Sequence, residues 1–126
     1  MKSFAASLIL AALMIFASIA YTIYLNNACE EMTLLSSQIE DAINTEDFAQ
    51  ASDTLKGLSE LINSKRLALA ATIDHTSIDT IERNMAELDA YLSEKQRQDA
   101  TAKCKVLITL FKHLPKNYSL NLENIL

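Results

Sequence analysis

Glycine and proline are almost absent from this 126-residue chain, which holds only Gly57 and Pro115. Sheets and active-site loops usually need more of both residues, so their scarcity predicts helices joined by short turns. The chain also lacks a C-x-x-C pair, a glycine-rich phosphate loop, an H-E-x-x-H motif and a Ser–His–Asp order. It therefore carries no familiar signature of redox, zinc, nucleotide or hydrolase chemistry. The length suits one domain.

Charge is absent from residues 3–25, "SFAASLILAALMIFASIAYTIYL". At about 1.5 Å per residue, a helix over this run is roughly 34 Å long, which is enough to cross a bilayer. We therefore predict a transmembrane anchor over residues 1–25, in contact with membrane lipid through residues 3–25. An extracytoplasmic domain over residues 26–126 follows it.

A cleaved signal peptide is the alternative interpretation of the apolar run. Lys2 supplies a charged start, and Ser18 and Ala20 could be the small residues before a cleavage point. Cleavage after Ala20 would release a secreted soluble bundle. The apolar run continues to Leu25, however, which favours an uncleaved signal-anchor.

The charges that flank the run predict its orientation. Lys2 and the amino-terminal group lie before it, whereas Glu30 and Glu31 follow it. Because an excess of positive charge marks the cytoplasmic side, the N-terminus is predicted to lie inside. The expected location is the cytoplasmic membrane, with a single pass and an extracytoplasmic C-terminal domain.

The part beyond the anchor is acidic. Residues 26–64 hold eight acidic residues and one basic residue, whereas residues 65–126 hold eight acidic and nine basic residues. A net acidic domain binds nucleic acid poorly, so we predict no nucleic-acid partner. The uneven division predicts two halves of one bundle that attract each other.

Apolar residues recur at spacings of three and four in four successive stretches, as they do on helices with one buried face. The stretches comprise Met32, Leu35, Ile39 and Ala42; Phe48, Ala51, Leu55, Leu58, Ile62, Leu69 and Ile73; Ile78, Ile81, Met85, Leu88 and Leu92; and Ala100, Cys104, Leu107, Phe111 and Leu114. Asn44 or Thr45 is the predicted cap of the second helix, and Pro115 the predicted end of the fourth. We predict an all-α fold, in which an N-terminal transmembrane helix continues into an antiparallel helical bundle of two helical hairpins, about four helices.

A shift of 49 residues superimposes the two predicted hairpins. The apolar pairs are Ile39–Leu88, Ile43–Leu92, Ala51–Ala100, Leu55–Cys104, Leu58–Leu107 and Ile62–Phe111. Two similar helical hairpins would produce this weak repeat, although any two amphipathic hairpins can align by chance. The tail after Pro115 carries further apolar residues that we expect to dock on the bundle, namely Leu120, Leu122, Ile125 and Leu126.

One short stretch suggests a ligand site. Within "IDHTSIDTIERN", residues 73–84, His75, Asp79 and Glu82 follow each other at spacings of four and three, on one face of a helix. Antiparallel helices would bring His113 to the same end. Two imidazoles and two carboxylates could hold zinc, manganese or iron, so a metal-binding or metal-dependent helical domain is an alternative function.

A structural interpretation of the same stretch needs no ligand. Asp74, Thr76 or Ser77 can cap the third helix, and acidic residues in its first turn complement the helix dipole. We therefore assign no catalytic residue, no cofactor and no metal site.

The two cysteines and the basic C-terminal part have similar structural explanations. Cys29 would lie about 5 Å above the membrane and Cys104 about 15 Å above it, too far apart for a disulfide, so two buried or half-buried thiols are expected. The basic residues between 95 and 116 can pack on the acidic first hairpin. Alternatively, Lys112 and Lys116 contact lipid headgroups.

Three quoted stretches carry a resemblance to a known family: "NTEDFAQA" (44–51), "IDHTSIDTIE" (73–82) and "KHLPKNYSLNLENIL" (112–126). With the apolar N-terminus, they make the chain resemble an uncharacterised family of short membrane-anchored proteins of Gram-positive bacteria, a domain of unknown function. The chain departs from that family at Phe48 and in "SKRLALA", where members usually carry tryptophan. The resemblance implies no catalytic role, and it hints at another small membrane protein as partner.

The function predicted from these observations is non-enzymatic. We expect a membrane-anchored extracytoplasmic interaction or scaffolding module, whose partner is another membrane protein.

Overall fold

A computed structural model of the protein describes residues 1–118, and the side chains of residues 1–116. Its helices are α1 (Lys2–Asn44), α2 (Phe48–Ser64), α3 (Arg66–Ala70), α4 (His75–Ser93) and α5 (Arg97–Tyr118). No strand occurs over residues 1–118, so the predicted all-α fold is confirmed. The expected docking of the tail through Leu120, Leu122, Ile125 and Leu126 lies outside the described residues.

The four long helices form the predicted antiparallel bundle of two hairpins. α1 packs against α2 and α5, and α4 packs against the same two helices, so α1 and α4 lie on one diagonal. Each helix buries one face, because its apolar residues recur at the helical period. The largest fully buried apolar side chains are Phe111, Leu25, Met32, Ile39, Ile43, Leu58, Leu88, Leu92 and Leu107.

α1 is one unbroken helix of 43 residues with two different halves. Residues 1–17 are all exposed, and Leu25 is the first residue of α1 that is buried. The exposed half includes Phe4 at 74% and Phe16 at 72% exposure. In the described part of the chain, α1 alone is long and apolar enough to span a membrane. We call the end of the bundle nearest this apolar half its base.

The two hairpin turns share one backbone geometry. Glu46 and Lys95 stand 49 residues apart and have φ angles of 60° and 56°, in the left-handed region. The hydrogen bond from Asp47 N to Ala42 O and its counterpart from Gln96 N to Tyr91 O are both 2.9 Å long. All twelve apolar residues paired by the 49-residue shift are buried. The weak sequence repeat therefore corresponds to two hairpins that are built alike.

Two boundaries of the second predicted helix differ from the sequence-based expectations. The cap of α2 is Asp47, not Asn44 or Thr45, because the left-handed turn at Glu46 places the Asp47 carboxylate 3.1 Å from Gln50 N. The second predicted helix is divided at Lys65, whose N–H bonds with two carbonyl groups tighten the last turn of α2. The short α3 then turns Leu69 back into the core.

The prediction that Pro115 ends the last helix is also wrong, because α5 continues to Tyr118. A proline inside a helix removes the hydrogen bond to the carbonyl group four residues earlier, which here is that of Phe111. Phe111 is fully buried and Leu114 is 5% exposed. Their packing in the core holds this turn in the helical conformation.

Adjacent residues of α5 provide a matched test of the core. Leu107 is fully buried, whereas Val106 is 41% exposed. We expect Leu107→Ala to lower the free energy of unfolding by about 2–5 kcal/mol, since it leaves a cavity between helices. Val106→Ala should change it by no more than about 0.5 kcal/mol. Denaturant titration of the full chain in detergent micelles measures both values, and equal effects would contradict the assigned burial.

Candidate functional site

His75, Asp79 and Glu82 lie on α4 at the base of the bundle, on one face as predicted. The Glu82 carboxylate forms an ion pair with Arg66 of α3. Glu82 also lines a recess with Leu55 and Lys56 of α2, so this face of α4 turns towards α2 and α3. His75 and Asp79 are exposed.

His113 reaches the base but meets a different face of α4. It lines a recess of about 150 Å³ with Leu110 and Leu114 of α5, and with Thr76, Ser77, Thr80 and Ile81 of α4. Successive residues of a helix are rotated by about 100°, so the side of Thr76 and Thr80 is distinct from the side of Asp79 and Glu82. Over the described residues, no group of three or more His, Cys, Asp or Glu side chains is arranged to hold a metal ion.

Asp74 gives this stretch its structural role. It is the N-cap of α4, and its Oδ1 accepts a hydrogen bond of 2.6 Å from Ser77 N. A carboxylate at this position satisfies a backbone N–H that has no partner within the helix, and it complements the positive helix end. One of the three caps considered from the sequence is thus confirmed.

Two neighbouring substitutions separate the structural role from a ligand role. We expect Asp74→Ala to lower the free energy of unfolding by roughly 0.5–2 kcal/mol, because the cap is lost. His75→Ala should change it by no more than about 0.5 kcal/mol, since the side chain is exposed. Metal analysis of the purified full chain accompanies the denaturation curves. Stoichiometric metal that disappears in His75→Ala would contradict the structural interpretation.

Two basic residues of α5 form described ion pairs, one within the second hairpin and one with the first. Lys103 pairs with Glu87 of α4, and its Nζ also lies 3.4 Å from Asn84 Oδ1. The hydrogen bond to Glu87 raises the pKa of Lys103. Arg97 instead reaches the first hairpin, with its guanidinium 3.5 Å from Glu46 and 3.2 Å from the carbonyl oxygen of Asn44. The Arg97–Glu46 ion pair thus joins the two hairpins at their turns.

Both cysteines are free and buried, as expected from their separation. The Cys104 thiol donates a hydrogen bond of 3.3 Å to the carbonyl oxygen of Ser36, which joins α5 to α1. Burial raises the pKa of Cys29 to about 11 and that of Cys104 to about 12. Since the thiolate is the reactive form, neither cysteine is suited to nucleophilic or redox chemistry in the folded protein.

Thiol alkylation tests this assignment. A cysteine with a pKa near 11 is about 100-fold less ionised at pH 8 than one with the ordinary value of 9. We therefore expect both thiols to react at least about 100-fold more slowly with N-ethylmaleimide in the folded protein than in guanidinium. Reactivity of the folded protein should rise with pH up to about 11. Mass spectrometry counts the modified sites, and fast labelling at pH 8 without denaturant would contradict the burial.

A groove of about 580 Å³ lies between α1 and α5, just above the apolar half of α1. Its lining is mixed. α1 contributes Asn26, Glu30 and Leu34, whereas α5 contributes Lys112 and Lys116. Leu34 is 58% exposed, a high value for a leucine in the bundle. The groove thus combines an exposed leucine with charges of both signs.

Comparison with known proteins identifies a family. No curated protein and no solved structure matches the chain. The family described as a domain of unknown function (DUF4363) matches residues 19–125, from the end of the apolar run almost to the C-terminus. The resemblance to an uncharacterised family is thus confirmed, and the chain belongs to the DUF4363 family.

Proposed function

We propose that the protein is a non-enzymatic interaction module that binds another membrane protein at the outer face of the cytoplasmic membrane. The observation that carries this proposal is the continuity of α1. A single helix runs from the exposed apolar segment into the centre of the bundle, without a break between residues 2 and 44. An anchor joined in this way holds the bundle at a fixed height and direction above the bilayer.

The exposure of the apolar half supports the membrane location. Leu8, Ile9 and Leu10 are 61–62% exposed, and because they are consecutive they point in three directions around the helix. Soluble proteins rarely expose an apolar surface of this extent, whereas a lipid-facing helix does so along its whole length. The positive charge at Lys2, against Glu30 and Glu31 beyond the apolar run, supports the outward orientation of the bundle.

The groove supports the choice of a membrane protein as partner. Phe16, Ile19 and Ile23 follow one another at spacings of three and four on the face of α1 that continues to Asn26 and Glu30 in the groove. A transmembrane helix that packs on the apolar part of this face and continues upwards would enter the groove directly. A partner with a single-pass helix of this kind would contact α1 within the lipid and the groove in the aqueous phase.

Site-specific photo-crosslinking in native membranes tests this function. A photoreactive phenylalanine analogue at Leu34 is expected to capture a membrane protein, because Leu34 lies in the groove. The matched control is Val106, which is also apolar and exposed but lies outside the groove. Covalent adducts at Leu34 and none at Val106 are the expected result, with the captured protein identified by mass spectrometry.

Two outcomes would contradict the proposal. If neither position yields an adduct and the chain runs as a monomer after mild solubilisation, the scaffolding function fails. If the mature chain begins after Ala20, the secreted alternative replaces the anchor, and mass spectrometry of the intact protein shows this. A C-terminal alkaline phosphatase fusion checks the orientation, since that enzyme is active only outside the cytoplasm.

A further inference from the structure

The fully exposed part of α1 is too short to span a bilayer alone. The apolar part of its uninterrupted exposed stretch runs from residue 3 to residue 17, which corresponds to about 22 Å of helix. The hydrocarbon core of a typical bilayer is about 30 Å thick. If Lys2 lies at the inner interface, the outer edge of the hydrocarbon falls near residue 22, roughly 8 Å beyond the exposed stretch. The base of the bundle therefore overlaps the level of the membrane surface.

The segment that occupies this level is the one between α2 and α4. We call residues 65–73 the basal segment. The hydroxyl group of Tyr21 donates a hydrogen bond of 3.3 Å to the carbonyl oxygen of Ala68 and contacts the Thr72 hydroxyl group. The Lys65 ammonium group lies 4.9 Å from the centre of the Tyr24 ring. These contacts fix the basal segment beside the last two turns of the apolar run.

The basal segment presents apolar atoms away from the bundle. Leu69 and Ile73 are buried in the core, whereas Leu67 is 91% exposed and Ala70 and Ala71 are exposed beside it. Residues 67–73, "LALAATI", carry no charge. Tyrosine and lysine side chains are common at the level of lipid headgroups, where an aromatic ring and an aliphatic stem can lie next to a polar end.

We propose that the basal segment is a second membrane contact, in which Leu67 inserts into the interfacial region of the same bilayer leaflet that surrounds the end of the apolar run. This inference rests on the proposed membrane anchoring. The occupant of the exposed surface is lipid, because Tyr21 and Tyr24 place the segment level with residues that the bilayer must cover. Anchoring at two points would prevent the bundle from tilting freely about α1.

Tryptophan fluorescence can test this contact without interference, because the chain has no natural tryptophan. Three single variants of the full chain are compared in vesicles of phosphatidylcholine and phosphatidylglycerol: Leu67→Trp, Phe16→Trp for the anchor, and Val106→Trp for the upper bundle. All three positions are exposed, so the fold should tolerate the larger ring. Far-ultraviolet circular dichroism checks the helical content of each variant.

The expected result is a difference in quenching among the three variants. With lipids brominated near the headgroup end of their acyl chains, we expect the Leu67→Trp and Phe16→Trp variants to lose emission. The Val106→Trp variant should keep its emission, because its indole ring lies in water above the bilayer. Aqueous acrylamide should for the same reason quench the Val106→Trp variant most strongly.

Three other results would overturn the proposal, and they are distinguishable. If bromine quenches the Phe16→Trp variant while Leu67→Trp behaves like Val106→Trp, the basal contact is overturned and the anchor stands. If the Phe16→Trp variant is not quenched, the anchoring fails and this inference fails with it. Bromine quenching of all three variants would mean that the bundle lies on its side, which also overturns the proposal.

Discussion

The buried contact between α5 and the outer half of α1 is the interaction on which the rest of the bundle depends. Phe111 and Leu107 of α5 are fully buried in the core, and the Cys104 thiol donates a hydrogen bond to a carbonyl group of α1. α4 packs on α5 and α2 at the opposite corner of the bundle from α1. Without α5 the buried face of α4 would lose one of its two supports, and one wall of the groove would disappear.

With the proposed anchoring, α1 passes from lipid into water along one continuous backbone. Its first half is apolar on all sides, as a lipid-facing helix must be, whereas its second half buries only the stripe that faces α2 and α5. No glycine or proline interrupts the change at Leu25. The helix therefore has no preferred hinge between the two environments. The short exposed apolar stretch and the basal segment are two consequences of the same continuity, since the bundle begins before the apolar run ends.

Much of the fold could be predicted from the sequence, because the helical period alone identifies a buried face. The turns were harder. Glu46 and Lys95 adopt left-handed φ angles that usually occur at glycine or asparagine. Because glutamate and lysine do not indicate such a turn, the predicted cap of α2 lies before the observed one. The prediction that the last helix ends at Pro115 is wrong for a related reason. The local preference of proline for ending a helix is outweighed by the burial of the side chains around it.

His113 lies at the predicted end of the bundle, but it meets a different face of α4 from the one that carries His75, Asp79 and Glu82. Antiparallel topology brings His113 to the level of His75, and this requires only the lengths of the helices. Which faces meet depends on the rotation of each helix about its axis, and one residue changes that rotation by about 100°. The sequence spacing within α4 could not reveal it. The groove, formed by residues of α1 and α5 that are far apart in sequence, had no sequence signal either.

The unbroken α1 also fixes the rotation of the groove about the helix axis relative to the apolar half. Because Phe16 and Ile23 lie on the same side of α1 as the groove residues Asn26 and Glu30, the apolar half sets the direction in which the groove opens within the plane of the membrane under the proposed anchoring. A bundle joined to its anchor by a flexible linker would rotate freely, and its groove would open in every direction within the membrane plane. Under the proposed anchoring, a neighbouring membrane protein would approach the groove from one direction only. An added or deleted residue before Leu25 would rotate that direction by about 100° relative to the apolar half.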